Sequence, residues 1–177
     1  MYQEKEIYQE MFKILFVCHG NICRSTMAEF VFKDMVAKVG LSDRFVIASA
    51  ATSTEEIGNP VHYGTARVLD RLGIDYSKKR ARQMTKGEYG EYDYLIGMDS
   101  ANIRNMKRFY GFEGFSFGNY QANSNSATNK NLENKICKLL EFANSSDDIA
   151  DPWYTGNFDL TYNDILKGCK SLLNSLT

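Results

Sequence analysis

Phe12-Lys13-Ile14-Leu15-Phe16-Val17-Cys18-His19-Gly20-Asn21-Ile22-Cys23-Arg24-Ser25 is the stretch on which the fold turns. Its first half is a short, almost unbroken apolar run, as expected of a strand covered on both faces. Its second half changes character at Cys18 and reads as a tight loop. Beyond Ser25, the residues Met27, Phe30, Val31, Met35 and Val39 recur at helical spacing. Gly40 stands where such a helix ends.

The same alternation repeats along the chain. Phe45-Val46-Ile47-Ala48 reads as a second strand. Asn59-Pro60 looks like a helix cap followed by proline at the first helical position, with Leu69 and Leu72 continuing that helix and Gly73 closing it. Tyr94-Leu95-Ile96-Gly97-Met98 is a third strand, and Ile103, Met106 and Phe109 mark the helix after it. Ile136 to Phe142 fits either a fourth strand or a short buried helix. Tyr162, Ile165, Leu166, Cys169, Leu172, Leu173 and Leu176 form one face of a long amphipathic helix.

Strands alternating with helices imply an α/β fold. The expectation is a single-domain, three-layer arrangement: a four-stranded parallel sheet with helices on both faces and the Cys18–Ser25 loop directly after the first strand. Ligands bind beyond the carboxyl ends of the strands in such sheets, which is where that loop lies. Residues 12–177 are expected to form the domain and residues 1–11 a flexible extension. Asn119–Asn131, rich in Asn, Ser and Ala, reads as a mobile surface loop.

The loop has the composition of an oxyanion cradle. A tight turn between strand and helix points successive backbone N–H groups inward, and the following helix adds its dipole and unpaired N–H groups. Gly20 and Asn21 both tolerate the positive φ such a turn demands. Arg24 can hold two phosphate oxygens in its planar fork, which lysine cannot do. Helix N-termini and arginine stabilise cysteine thiolates, so Cys18 is the expected nucleophile, with Ser25 donating a hydrogen bond to its sulfur. His19, Gly20, Asn21, Ile22 and Cys23 complete the cradle. Cys18, His19 and Cys23 also invite a zinc reading, but closed sites need four ligands and the one remaining histidine, His62, lies near the start of a helix.

The 177 residues carry 44% hydrophobic and 24% charged side chains and a formal net charge of -1. That balance argues against charge-driven binding to nucleic acid or membranes. The first residues, Met1-Tyr2-Gln3-Glu4-Lys5-Glu6, do not have the pattern of a secretory signal, and no stretch has the length needed to cross a bilayer. The four cysteines are expected as free thiols in the cytosol; Cys137 and Cys169 read as core filling.

Three motifs carry a family resemblance. Val17 to Ser25 is close to V-C-x-G-N-I-C-R-S, Met98-Asp99-Ser100-Ala101-Asn102 follows the third strand, and Asp151-Pro152-Trp153-Tyr154 matches D-P-[WY]-Y. In this the sequence resembles the low-molecular-weight protein tyrosine phosphatases over roughly residues 12–176. The resemblance implies that Asp151 is the general acid and later the base, and that Trp153 and Tyr154 wall the substrate ring. It implies that Asn21 braces the loop and that Asp99 is a structural partner near the site, a residue equally readable as a helix N-cap. The implied activity is hydrolysis of phosphotyrosine in proteins or peptides through a phosphocysteine, inhibited by phosphate and other oxyanions, with no metal or organic cofactor.

The sequence also departs from the family pattern. His19 and Thr26 stand where small or aliphatic residues and proline are usual, Glu55 takes a place often aromatic, and Lys79 lies near the place of a histidine ahead of Ala81-Arg82-Gln83. Among alternatives of this fold, arsenate reductases need relay cysteines, and none lies between Cys23 and Cys137. Protein arginine phosphatases tend to carry threonine where this chain has Ile22. A phosphate-binding or redox-sensing module would not need Asp151-Pro152.

Overall fold

The computed structural model describes residues 10–112 and 135–177; most of the expected extension and the whole of the Asn-rich loop 119–131 lie outside the described residues. Strand β1 (Phe12–Cys18) runs through the middle of the sheet. It pairs in parallel with β2 (Phe45–Ala51) on one side and with β3 (Tyr94–Gly97) on the other. β4 (Ile136–Lys138) adds in parallel to β3, giving the order β2-β1-β3-β4. This central position explains the unbroken apolar run, because Ile14 through Val17 are fully buried and a parallel strand is covered on both faces.

Helix α1 (Arg24–Lys38) returns along one face, where Met27, Phe32 and Val36 meet Phe16 and Ile96. Phe32 sets its ring edge-on to Phe16 at 5.8 Å and to Phe45 at 5.6 Å. The same face receives α2 (Tyr63–Arg71) and the C-terminal α6 (Phe158–Leu176), whose Ile165, Cys169 and Leu172 are wholly buried. The opposite face packs Leu15, Val17 and Leu95 against Met106 of α4 (Ser100–Tyr110). Among the described residues there are two further short α-helices: α3 (Glu88–Glu91), which the periodicity does not reveal, and α5 (Pro152–Thr155).

One expectation is corrected and two element boundaries are refined. Asn59-Pro60 does not open a helix: the Asn59 amide donates to Glu56 O at 2.9 Å and its carbonyl accepts from Ala81 N at 2.9 Å, which commits it to loop contacts. The cap of α2 is His62, whose Nδ1 accepts from Gly64 N at 3.1 Å. Ile136–Phe142 is both things at once, a strand through Lys138 and then a 3-10 turn over Leu139–Ala143. The third strand stops at Gly97 because Met98 N turns to Asn102 Oδ1 at 3.0 Å. Cys169 is core filling as expected, and Cys137 is partly buried against the same core.

Candidate active site

The carboxyl ends of β1 and β2 finish level, Cys18 opposite Ala51, and Val17 lies opposite Gly97 of β3. The loop that follows β1 turns into α1 within a few residues. Asn21 makes the turn with φ of 60°, a conformation its short amide side chain tolerates. Gly20 is not in the left-handed region. Its lack of a side chain serves proximity instead, since a Cβ there would lie 3.1 Å from Glu56 Cγ.

Asn21 is tied on every side. Its Nδ2 donates to Ser25 Oγ at 2.9 Å and Ser49 Oγ at 2.8 Å, its Oδ1 accepts from Arg82 N at 3.1 Å, and its carbonyl accepts from Thr26 Oγ1 at 2.8 Å. Thr26 thus locks the turn that proline would otherwise stiffen. Beneath the loop, Ser49 Oγ donates to Glu29 Oε2, and Lys79 Nζ donates to Glu29 Oε2 and Ser49 Oγ, both at 2.8 Å. Sequence reading passes over Glu29 and Ser49. The one signal is an acidic residue placed inside the apolar stripe of α1.

Cys18 Sγ lies 3.0 Å from Ser25 Oγ and accepts from Asn21 N at 3.4 Å. Cys23 is different: burial, with the nearby Cys18 and Asp151, pushes its thiol up to about 12. A thiol so placed favours its protonated form over the thiolate.

Arg24 is nearly enclosed. NH1 donates to Asp99 Oδ2 at 2.6 Å and to Ile149 O at 2.9 Å, and NH2 donates to Asp151 Oδ2 at 2.9 Å. Burial works against its charge, but Cys18 and the carboxylates of Asp99 and Asp151 outweigh that and hold the guanidinium above its ordinary range. Asp99 serves two purposes together. While Oδ2 holds Arg24, Oδ1 caps α4 by accepting from Asn102 N at 2.7 Å. Asp151 does the same for α5, accepting from Trp153 N at 3.1 Å on Oδ1.

These groups close on a pocket of about 140 Å³ lined by Cys18, His19, Gly20, Ile22, Cys23, Arg24, Glu55, Glu56, Asp151, Trp153 and Tyr154. Asn21 and Ser25 lie below it, fully buried, and act on it through Cys18. Trp153 and Tyr154 stand at the mouth, 56% and 85% exposed, which is not how aromatic residues pack beneath a loop. The His19 side chain turns to Glu55, Nε2 to Oε2 at 2.9 Å. Among the described residues no group of three or more His, Cys, Asp or Glu is placed to hold a metal, and no helix is long and apolar enough to cross a membrane.

Residues 13–126 match the family model described as low molecular weight phosphotyrosine protein phosphatase. Over 94% of this chain and 96% of the relative, the sequence is 39% identical to the low molecular weight protein-tyrosine-phosphatase YfkJ of Bacillus subtilis. It is 37% identical to the low molecular weight phosphotyrosine protein phosphatase of Mus musculus, covering 90% of this chain and 92% of that one. The crystal structure of YfkJ superposes with a TM-score of 0.78 at 38% identity, over 95% of this chain and 96% of that one. A low molecular weight protein tyrosine phosphatase from Streptococcus pyogenes superposes at 0.76 with 38% identity, over 94% of each chain. With the family model and these relatives spanning most of its length, the chain belongs to the low molecular weight phosphotyrosine protein phosphatase family.

Proposed function

We propose that this protein hydrolyses phosphotyrosine in proteins or peptides through a phosphocysteine, with residues 12–177 as the catalytic unit. The observation that carries the reading is the convergence of Cys18, Arg24 and Asp151 on one pocket, with Arg24 as their common partner. The Cys18 thiolate attacks phosphorus, forming the S–P bond as the P–O bond to the phenol breaks. Asp151 gives its proton to the departing phenolate, whose conjugate acid has a pKa of about 10 and which leaves poorly without one. Arg24, exchanging Asp151 for phosphate oxygens, and the inward backbone amides carry the charge on the equatorial oxygens.

In the second step Asp151 takes a proton from water, water oxygen bonds phosphorus, and the S–P bond breaks to release phosphate and the thiolate. The Ser25 hydroxyl, already accepting from Asn21, has its proton free for the sulfur and stabilises it as nucleophile and as leaving group. The reaction needs no metal or organic cofactor, and phosphate and other oxyanions compete for the same cradle. The four free thiols fit a reducing compartment, and the cytosol is the compartment we infer.

Ile22, an apolar wall of the pocket, favours an aryl substrate over a phosphoguanidine. Side-by-side turnover of phosphotyrosine and phosphoarginine peptides tests this, and faster release from phosphoarginine would reverse the assignment. In the same assay Cys18→Ser is expected to abolish turnover while Cys23→Ser keeps a substantial part of it. Equal loss in both would mean that the nucleophile is misassigned.

A further inference from the structure

Beside the phosphate pocket lies a second concavity of about 280 Å³, bordered by His62, Tyr63, Arg67, Trp153 and Phe158. Its wall is built rather than incidental. His62 stacks on Phe158 with ring centres 5.0 Å apart and planes 11° from parallel, and it meets Trp153 edge-on at 5.5 Å. The Nδ1 hydrogen bond from Gly64 N fixes the His62 ring at the head of α2. Burial, opposed by Glu56, lowers the His62 pKa, which favours the neutral ring as an aromatic wall. Gly64 lets Phe158 press on the helix backbone, for a Cβ there would sit 2.4 Å from the ring.

Two features point to an occupant. Tyr63 is 76% exposed beside the exposed Trp153, and clustered exposed aromatics on a soluble surface mark interaction sites. Arg67, one helical turn after Tyr63, has no ion-pair partner among the described residues, whereas Arg71, one turn further on, is held by Asp159 at 2.7 Å. Trp153 borders both cavities, so an extended peptide with its phosphotyrosine in the pocket enters the groove by passing that ring. The groove thus continues the pocket and offers apolar walls and, among the described residues, one cation without an ion-pair partner.

We propose that this groove is a second substrate subsite, in which the aromatic walls hold the segment flanking the phosphotyrosine and Arg67 pairs with an acidic side chain on it. The proposal rests on the phosphotyrosine reading of the pocket and adds the sequence context that the protein selects. Glu56 acts on His62, Asp159 is held by Arg71 and Asp151 by Arg24, and among the described residues none of these carboxylates pairs with Arg67.

The test uses the full chain and matched phosphotyrosine peptides carrying Glu or Gln within three residues on either side. For the unaltered protein, kcat/KM is expected to favour a Glu peptide by about three- to five-fold, the scale of an exposed ion pair, with the gain in KM because the contact is equal in ground and transition states. Arg67→Gln is expected to remove that preference and Arg67→Glu to invert it. Binding to Cys18→Ser, read from the fluorescence of Trp153, the one tryptophan in the chain, should show the same order in Kd and weaken with salt. An acidic preference that survives Arg67→Glu, or none in the unaltered protein, overturns the subsite. Dimerisation abolished by Arg67→Glu, without any peptide preference, assigns the groove to a second copy and overturns it too. Phenyl phosphate, too small to reach the groove, separates the two readings: if the unaltered protein turns over neither it nor any peptide, the phosphotyrosine reading itself has failed.

Discussion

At the scale of single residues, the site is an arrangement of charges around Arg24. Asp151 is the more exposed of its two carboxylate partners and the group proposed to move protons, so its role can be separated from its place as the cap of α5. Asp151→Asn keeps an acceptor for Trp153 N but removes the transferable proton. Acid help matters most for a poor leaving group. Single-turnover rates with phenyl phosphate are therefore expected to fall by roughly 100-fold or more. An aryl phosphate with a strongly acidic phenol should lose far less. Equal losses across leaving groups would confine Asp151 to a structural part. Cys23, by contrast, is a buried thiol whose neighbours discourage ionisation; the sequence shows two cysteines in one loop, and only their surroundings tell them apart.

At the scale of elements, the close approaches decide how α6 and the turn after β4 sit. Gly168 in α6 faces Leu139, where a Cβ would fall 2.5 Å from Cγ and 3.1 Å from the backbone oxygen. Alanine in a helix is worth about 1 kcal/mol over glycine when nothing intervenes. Here the contact includes backbone that cannot step aside, and overpacking of this kind costs about 1–3 kcal/mol. Gly168→Ala is thus expected to lower stability by roughly 1 kcal/mol net, read as a lower urea midpoint at unchanged slope; a raised midpoint would mean that the turn yields freely. Local pattern also explains where element boundaries misled. Asn59-Pro60 has the grammar of a helix start, yet its polar groups are claimed by Glu56 and Ala81 across the loop, and His62 caps the helix.

At the scale of the whole molecule, the parallel order β2-β1-β3-β4 brings the loops after different strands to one edge. Beneath that edge lies the Glu29–Lys79 pair, whose acid response can be predicted. Burial alone would raise the Glu29 pKa, but Lys79 and Lys33 outweigh it and hold the carboxyl below its ordinary value. A group depressed in the folded state contributes stability that is present above its unfolded pKa and lost as pH falls toward the folded one. Glu29→Gln, which leaves Lys79 short of its anion, is expected to cost about 3 kcal/mol at neutral pH. The variant should then lose less further stability than the unaltered protein between about pH 5 and pH 3, as urea midpoints across that range would show. Parallel acid limbs would mean that Glu29 does not titrate differently on folding. What the sequence determined by itself was the strand, loop and helix around Cys18 and Arg24, because periodicity and turn chemistry act over a few residues, and a family likeness that singled out Asp99 and Asp151. The tertiary structure alone decided that one guanidinium joins carboxylates 75 and 127 positions away, that Lys79 reaches Glu29 and Ser49, and that His62, Arg67 and Trp153 share a groove. Those contacts depend on how helices seat against the sheet, and no local pattern encodes the direction in which a distant side chain arrives.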